Sequence, residues 1–292
     1  MQQLIDEAFL KRLANLRFVS RRGRAGRFSG AHASPRAGMS VEFADYREYA
    51  PGDDFRYIDW NIYGRLDRIL VKTFVQEVDL PIYLLLDLSA SMQLGSPPKA
   101  HYAAQTSLAL AFLGLRGLDR VGLYPFAERL LDAVPARHGM AQFNRFLHLL
   151  AGVDPRGNTS LDACVSAFLA RTKESGLVVL LADFLGDEEV DEPIARLRHR
   201  GDDVIAIQVL DPSEAEPTLT GPTQFVDAET QRRVTMTVGT RTLEAYRERF
   251  AERQAKLRGQ LLERGVPLFV APTSRPIERL IHEDLQRGGV LQ

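Results

Sequence analysis

The chain has 292 residues, 45% hydrophobic and 26% charged, with 37 basic and 38 acidic side chains for a formal net charge of −1. This composition excludes a disordered or collagen-like chain, and the longest apolar runs, at residues 80–88 and 177–185, are interrupted by Asp87 and Asp183 and fall short of the roughly 20 residues of a membrane span. The single cysteine, Cys164, excludes an internal disulfide, and the N-terminus lacks the basic-then-apolar pattern of a secretory signal, so no membrane span and a cytoplasmic location are expected.

The near-neutral total conceals an asymmetry. Residues 1–40 hold eight basic and two acidic side chains, a net +6, which leaves −7 for the remainder. Within that basic stretch, Leu4, Ile5, Phe9, Leu10, Leu13, Leu16 and Val19 recur at helical spacing and predict a helix over 4–18. Residues 20–38, rich in Arg, Gly, Ser and Ala with no apolar period, read as a flexible or partner-ordered arm. Residues 1–38 are therefore expected to form an N-terminal helix with a basic arm. Residues 39–79 are expected to be a small β-rich extension, broken at Pro51-Gly52.

From Pro81 the rhythm changes. Strands are predicted at 82–86, 119–126, 177–182, 204–210 and 267–270, with an antiparallel edge hairpin at 129–134. Helices are predicted at 99–115, 140–150, 161–171, 188–200 and 241–264, and Ser274 can cap a last helix running through Leu285. Strands alternating with helices argue for an α/β fold with a doubly wound, mostly parallel sheet over 80–292. The continuous apolar runs at 83–86 and 178–181 suit strands covered on both faces. An insertion at about 211–239 interrupts the alternation. There Gln224-Phe225-Val226 and Arg233-Val234-Thr235-Met236 flank Asp227-Ala228-Glu229-Thr230, a hairpin signal. In the long helix at 241–264, Leu243, Tyr246, Phe250, Leu257 and Leu261 are expected to face inward, with Gly265 as the C-terminal cap.

One segment carries chemistry. Asp87-Leu88-Ser89-Ala90-Ser91 directly follows a buried strand and precedes a helix. In open α/β sheets, ligands bind outside the carboxyl ends of strands where the helices diverge. Asp183 ends the other strongly apolar strand, and Thr159 lies in the loop that opens the preceding helix. Three hydroxyls and two carboxylates suit a hard, oxygen-seeking ion of the Mg²⁺ type; no thiolate or imidazole joins them. A helix-capping cluster is the bland reading of the same residues. The six histidines are scattered, and neither a G-x-S-x-G elbow nor a phosphate-binding loop occurs, so no enzyme is expected.

A second segment, residues 42–60, is dense in charge and aromatic side chains. Arg47, Asp53, Asp54, Arg56, Asp59, Trp60 and Arg65 are its candidate partner-binding residues. Pro51-Gly52 can set a turn with Asp53 capping local N–H groups, and Arg with Asp can form bidentate pairs. The segment reads first as an internal ion-pair lattice and, compatibly with that, as a recognition face, which Trp, Tyr and Arg favour.

The set Asp87, Ser89, Ser91, Thr159 and Asp183 resembles the metal-ion-dependent adhesion site, or MIDAS, of von Willebrand factor A domains, over about residues 80–285. The resemblance implies that Ser89, Ser91 and Thr159 bind Mg²⁺ (or Mn²⁺ or Ca²⁺) directly and that Asp87 and Asp183 act largely through water. A partner's Asp or Glu would complete the sphere. One departure stands out: many family members have a hydroxyl before the second Asp and Gly after it, where this chain has Ala182 and Phe184; Ser160 also competes with Thr159 as a ligand. Residues 42–60, with Arg65, Lys72 and Glu77, are similar to the signature of the domain-of-unknown-function 58 family. That likeness implies work alongside a MoxR-type AAA+ ATPase in the maturation or assembly of other proteins. The expected function is thus a non-enzymatic, metal-dependent protein-interaction module. The alternatives are an anionic-surface or nucleic-acid binder acting through the basic arm, and a metal-assisted hydrolase. Nucleic acid is not the expected partner, since no nucleic-acid-binding motif accompanies the arm.

Overall fold

A computed structural model describes residues 5, 7–13, 15–19, 41–76, 81–152, 154–186 and 189–292, so the basic arm and Glu77 lie outside the described residues. The chain divides into two units, Ser20–Asp79 on one hand and Met1–Val19 with Leu80–Gln292 on the other. Helix α1 (Glu7–Leu13) belongs to the larger unit, where Phe9 and Leu13 are buried in its core. It is shorter than the sequence pattern predicts. Past it, Arg17 N donates to Gln292 O at 3.0 Å and Val19 N to Val290 O at 2.8 Å, so these residues pair with the C-terminus instead of continuing the helix.

In the smaller unit, strand β1 (Val41–Glu48) pairs antiparallel with β2 (Leu70–Gln76), and helix α2 (Trp60–Leu66) lies in the connection. Asp59 caps α2 by accepting from Asn61 N and Ile62 N. Gly52, at φ +106°, supplies the left-handed bend of the Pro51-Gly52 turn.

The larger unit continues through β3 (Pro81–Asp87), α3 (Lys99–Arg116), β4 (Arg120–Phe126), β5 (Val134–Arg137), α4 (Ala141–Ala151), α5 (Leu161–Arg171), β6 (Leu177–Ala182), α6 (Asp191–Arg200) and β7 (Asp203–Leu210). A short helix α7 (Pro212–Ala215), the hairpin β8 (Gly221–Val226) and β9 (Arg233–Val238), helix α8 (Thr240–Glu263), β10 (Leu268–Pro272) and α9 (Ile277–Arg279) follow. The sheet order is β10-β7-β6-β3-β4-β5, parallel except for β5 at the edge. This is the doubly wound, mostly parallel α/β sheet that the alternation predicts.

Every residue of β3 is buried, and its side chains alternate between two cores. Ile82, Leu84 and Leu86 meet α1, α3, α4 and α9 on one face, while Tyr83 and Leu85 meet α5, α6 and α8 on the other. Cys164 is fully buried in the second core. Among the described residues no helix is long and apolar enough to cross a membrane.

Three expectations need correction. The edge strand lies at Val134–Arg137, beyond 129–134, because residues 125–131 close a turn in which Leu131 N donates to Pro125 O at 2.9 Å. In α8 only Leu257 and Leu261 are buried; Tyr246 is exposed, and Leu243 and Phe250 are half-buried. The reason is length. A 24-residue helix runs about 36 Å, whereas sheet strands of this size run about 17–26 Å, so the helix overhangs the sheet. The last helix starts at Ile277 without a Ser274 cap, since Thr273–Arg275 form a turn closed by Arg275 N on Pro272 O.

Candidate functional site

Asp87 is the last residue of β3, and Asp183 directly follows β6, its parallel neighbour. After β3 the chain turns into α3 on one face; after β6 it turns into α6 on the other. The strand order reverses here, so a crevice opens between the two strand ends. The loop before α5 is stitched across it by backbone bonds of 2.9 Å: Arg156 N to Leu88 O, Ala90 N to Gly157 O, and Ser160 N to Ala127 O. Those bonds bring Thr159 beside Asp87.

All five predicted residues border this crevice or the loop that edges it. Asp87 Oδ1 accepts from Ser89 N at 2.8 Å, and the Ser89 and Ser91 hydroxyls lie 3.0 Å apart. Thr159 Oγ1 is 3.4 Å from Asp87 Oδ2, a long contact. Asp183 Oδ1 accepts from Leu185 N at 3.1 Å, and its backbone carbonyl accepts from Gln208 Nε2 at 2.9 Å. Ser160, the rival of Thr159, is used as the cap of α5, with Ala163 N donating to its Oγ at 3.3 Å. Phe184 adopts φ +53°, a conformation in which glycine is at ease and a bulky side chain is strained. The departure at this position noted in the sequence therefore has a backbone cost.

Three charged side chains of the site escaped the sequence reading. Lys99, at the start of α3, is fully buried; its Nζ donates to Asp183 Oδ2 at 2.7 Å and to Glu214 Oε1 at 2.6 Å. Burial alone would lower the Lys99 pKa, but the two acids outweigh it and the net direction is up. Glu214 sits in α7, where its Oε2 also accepts from Asp211 N in a capping box. Glu229, at the β8–β9 tip, accepts from Thr159 Oγ1 at 3.0 Å and from Thr159 N at 3.2 Å. The hairpin was legible in the sequence, but its reach to a loop 70 residues away was not.

Burial, reinforced by the charge of Asp183, pushes the Asp87 carboxyl up to about 7. The linked cluster sets the carboxyl groups of Asp87, Asp183, Glu214 and Glu229 around the ammonium of Lys99. Among the described residues no cluster of three His, Cys, Asp or Glu side chains is arranged to hold a metal ion. The donor set is different in kind: hydroxyls of Ser89, Ser91 and Thr159 with carboxylates around them. These are hard oxygens beside surplus negative charge, and they fit an ion of the Mg²⁺ class. The crevice that Asp87, Thr159 and Asp183 line is walled on its apolar side by Phe126, Leu161, Phe184 and Val190.

The second residue set forms its contacts within the smaller unit. Arg47 donates two bonds to Asp53, at 2.5 and 2.6 Å, and Ala50 N donates to the same carboxylate at 2.8 Å. The Arg47 bonds come first in holding the Asp53 carboxyl below its ordinary range. Arg56 pairs with Asp54 at 2.6 Å on the surface. Asp59 pairs with Lys72 at 3.0 Å and accepts from the Tyr46 hydroxyl at 3.0 Å. Here the acids and bases serve the segment's own turn and helix. Trp60 instead points outward, 61% exposed, with Phe55, Leu66 and Arg65 also exposed.

A family model described as a protein of unknown function, DUF58, matches residues 45–260. Uncharacterised proteins of Mycobacterium bovis and Mycobacterium tuberculosis are each 30% identical over 209 residues, 70% of this chain and 66% of theirs. The chain thus spans 66% of the length of these curated relatives. Among solved structures, the conserved hypothetical protein BatB from Bacteroides thetaiotaomicron is 13% identical, covering 71% of this chain and 98% of its own, at a TM-score of 0.46. A manganese-loaded TRAP protein of Plasmodium vivax is 19% identical, covering 44% of this chain and 57% of its own, at a TM-score of 0.34.

Proposed function

The chain belongs to the DUF58 family of proteins of unknown function, and from that premise we propose that it is a non-enzymatic interaction module whose divalent-cation site captures an acidic side chain of a partner protein. The observation that carries the reading is the meeting of the Ser89, Ser91 and Thr159 hydroxyls with Asp87 and Asp183 where the strand order reverses. Mg²⁺, or Mn²⁺ or Ca²⁺ in its place, would supply the positive charge that an incoming carboxylate needs. The protein's own groups do the rest. Asp87 fixes the Ser89 loop by accepting its N–H, and the backbone bonds across the crevice hold Thr159 in place. Lys99 neutralises Asp183 and limits how much negative charge a partner's acid meets. Phe126, Leu161 and Phe184 offer apolar contact to residues flanking that acid.

In this proposal a MoxR-type AAA+ ATPase is the energy-supplying partner, and the client supplies the Asp or Glu. The ion-pair lattice of Arg47, Asp53, Asp54, Arg56 and Asp59 braces the smaller unit, and Trp60 with Arg65 forms the face offered to the ATPase, in keeping with the side chains that dominate binding hot spots. The test is capture of the purified ATPase and its client by the full chain in Mg²⁺, in EDTA, and with Asp87→Ala in Mg²⁺. Capture confined to the wild-type chain with Mg²⁺ supports the proposal. Capture undiminished by both EDTA and the substitution overturns it.

A further inference from the structure

The β8–β9 hairpin interrupts the α/β alternation between β7 and α8, and among the described residues its strands pair only with each other, outside the six-stranded sheet. A lone two-stranded hairpin is marginally stable in water. Phe225, Val226, Val234 and Met236 on it are exposed, so little apolar burial anchors it. Its tip, by contrast, is well built. Asp227 Oδ1 accepts from Glu229 N at 3.0 Å and from Thr230 N at 2.7 Å, an Asx turn that fixes where Glu229 projects. The Glu229 carboxylate then meets Thr159 with both oxygens, one on the hydroxyl and one on the amide.

Thr159 belongs to the hydroxyl set of the candidate cation site, and Glu229 is a carboxylate delivered to it from outside the sheet. We propose that Glu229 is the chain's own acidic ligand. It takes the place a partner's Asp or Glu would take, so a partner must displace the hairpin tip to bind. This rests on the cation-site reading above and adds two points to it. The site is closed from within, and the shape it accepts is an acid presented on a tight turn. A tethered ligand competes at an effective concentration in the millimolar range, so a free acid of similar chemistry binds weakly until the tip is disabled.

The probe is a synthetic peptide of residues 224–233, which carries the tip sequence, titrated with Mg²⁺ into the full wild-type chain and into Glu229→Gln. Hydrogen exchange of the residue 227–231 amides is followed in parallel. The expected result is peptide binding at least about tenfold tighter to Glu229→Gln than to wild type, abolished by EDTA, with faster tip exchange in the variant. If Mg²⁺ binds but the peptide binds both proteins equally, or neither, the internal-ligand proposal falls and the cation site stands. If neither protein binds Mg²⁺, both fall. Unchanged tip exchange in Glu229→Gln likewise overturns the proposal, since the contact would then hold nothing in place.

Discussion

Lys99 and Asp183 form an ion pair of 2.7 Å with the ammonium wholly shut off from solvent. The pair ties the first residue of α3 to the residue after β6, and Glu214 joins it from α7. Removing one partner from a buried pair leaves an uncompensated charge, a loss of about 3–5 kcal/mol. Lys99→Met should therefore lower the stability of the full chain by that order in urea unfolding. Adding Asp183→Asn should restore part of the loss, because the two changes share one interaction. A Lys99→Met protein as stable as wild type would contradict the pairing.

Asp87 makes the opposite prediction. Burial and the neighbouring Asp183 charge both oppose its ionised form. Asp87→Asn keeps the acceptor for Ser89 N and removes the charge. In EDTA, the urea midpoint of Asp87→Asn should equal or exceed that of wild type. A clear fall would mean that the carboxylate serves the fold and not a cation.

Phe184 separates backbone from side chain. Phe184→Ala and Phe184→Gly both empty the same part of the crevice, but only glycine adopts φ +53° without strain. The glycine variant should be the more stable of the two by about 1 kcal/mol. Equal midpoints in parallel denaturation curves would show that the turn after β6 relaxes around any residue.

The smaller unit should respond to acid through Asp53. Its folded pKa is lowered, by the Arg47 bonds first, so its contribution is complete above the ordinary carboxylate value of about 3.9 and is lost as pH falls through the lower folded value. The chain has one tryptophan, Trp60, and it lies in this unit. Trp60 emission followed in urea should give a midpoint flat above about pH 5 and falling below about pH 4, with a shallower fall in Asp53→Asn. An identical pH profile in both proteins would show that the Arg47–Asp53 pair does not stabilise the smaller unit.

The sheet was readable because β3 and β6 are covered on both faces, so nearly every position is apolar, and strand periodicity needs no partner to be seen. The hydroxyls and aspartates were readable because strand ends in such sheets are where ligands go. What stayed hidden depends on distance along the chain. Lys99 looks like any lysine opening a helix, and lysines are rarely buried without a partner. Its partners lie 84 and 115 residues away, and no local pattern reveals them. Glu229 was visible as a turn residue but not as a neighbour of Thr159. Tyr246 and Phe250 continue the apolar period of α8, but their rings stack on each other outside the core, and the Tyr246 hydroxyl reaches the body only as a donor to Glu214 O at 2.5 Å.

Whether the hydroxyls and carboxylates at this crevice hold a divalent cation decides the proposed function. Titration calorimetry of Mg²⁺ or Mn²⁺ into the full chain, beside Ser89→Ala/Thr159→Ala, reads that binding. One ion should bind per wild-type chain, and that binding should be lost in the double variant, with both proteins folded by circular dichroism. No ion bound by the wild type, or equal binding by the variant, would contradict it.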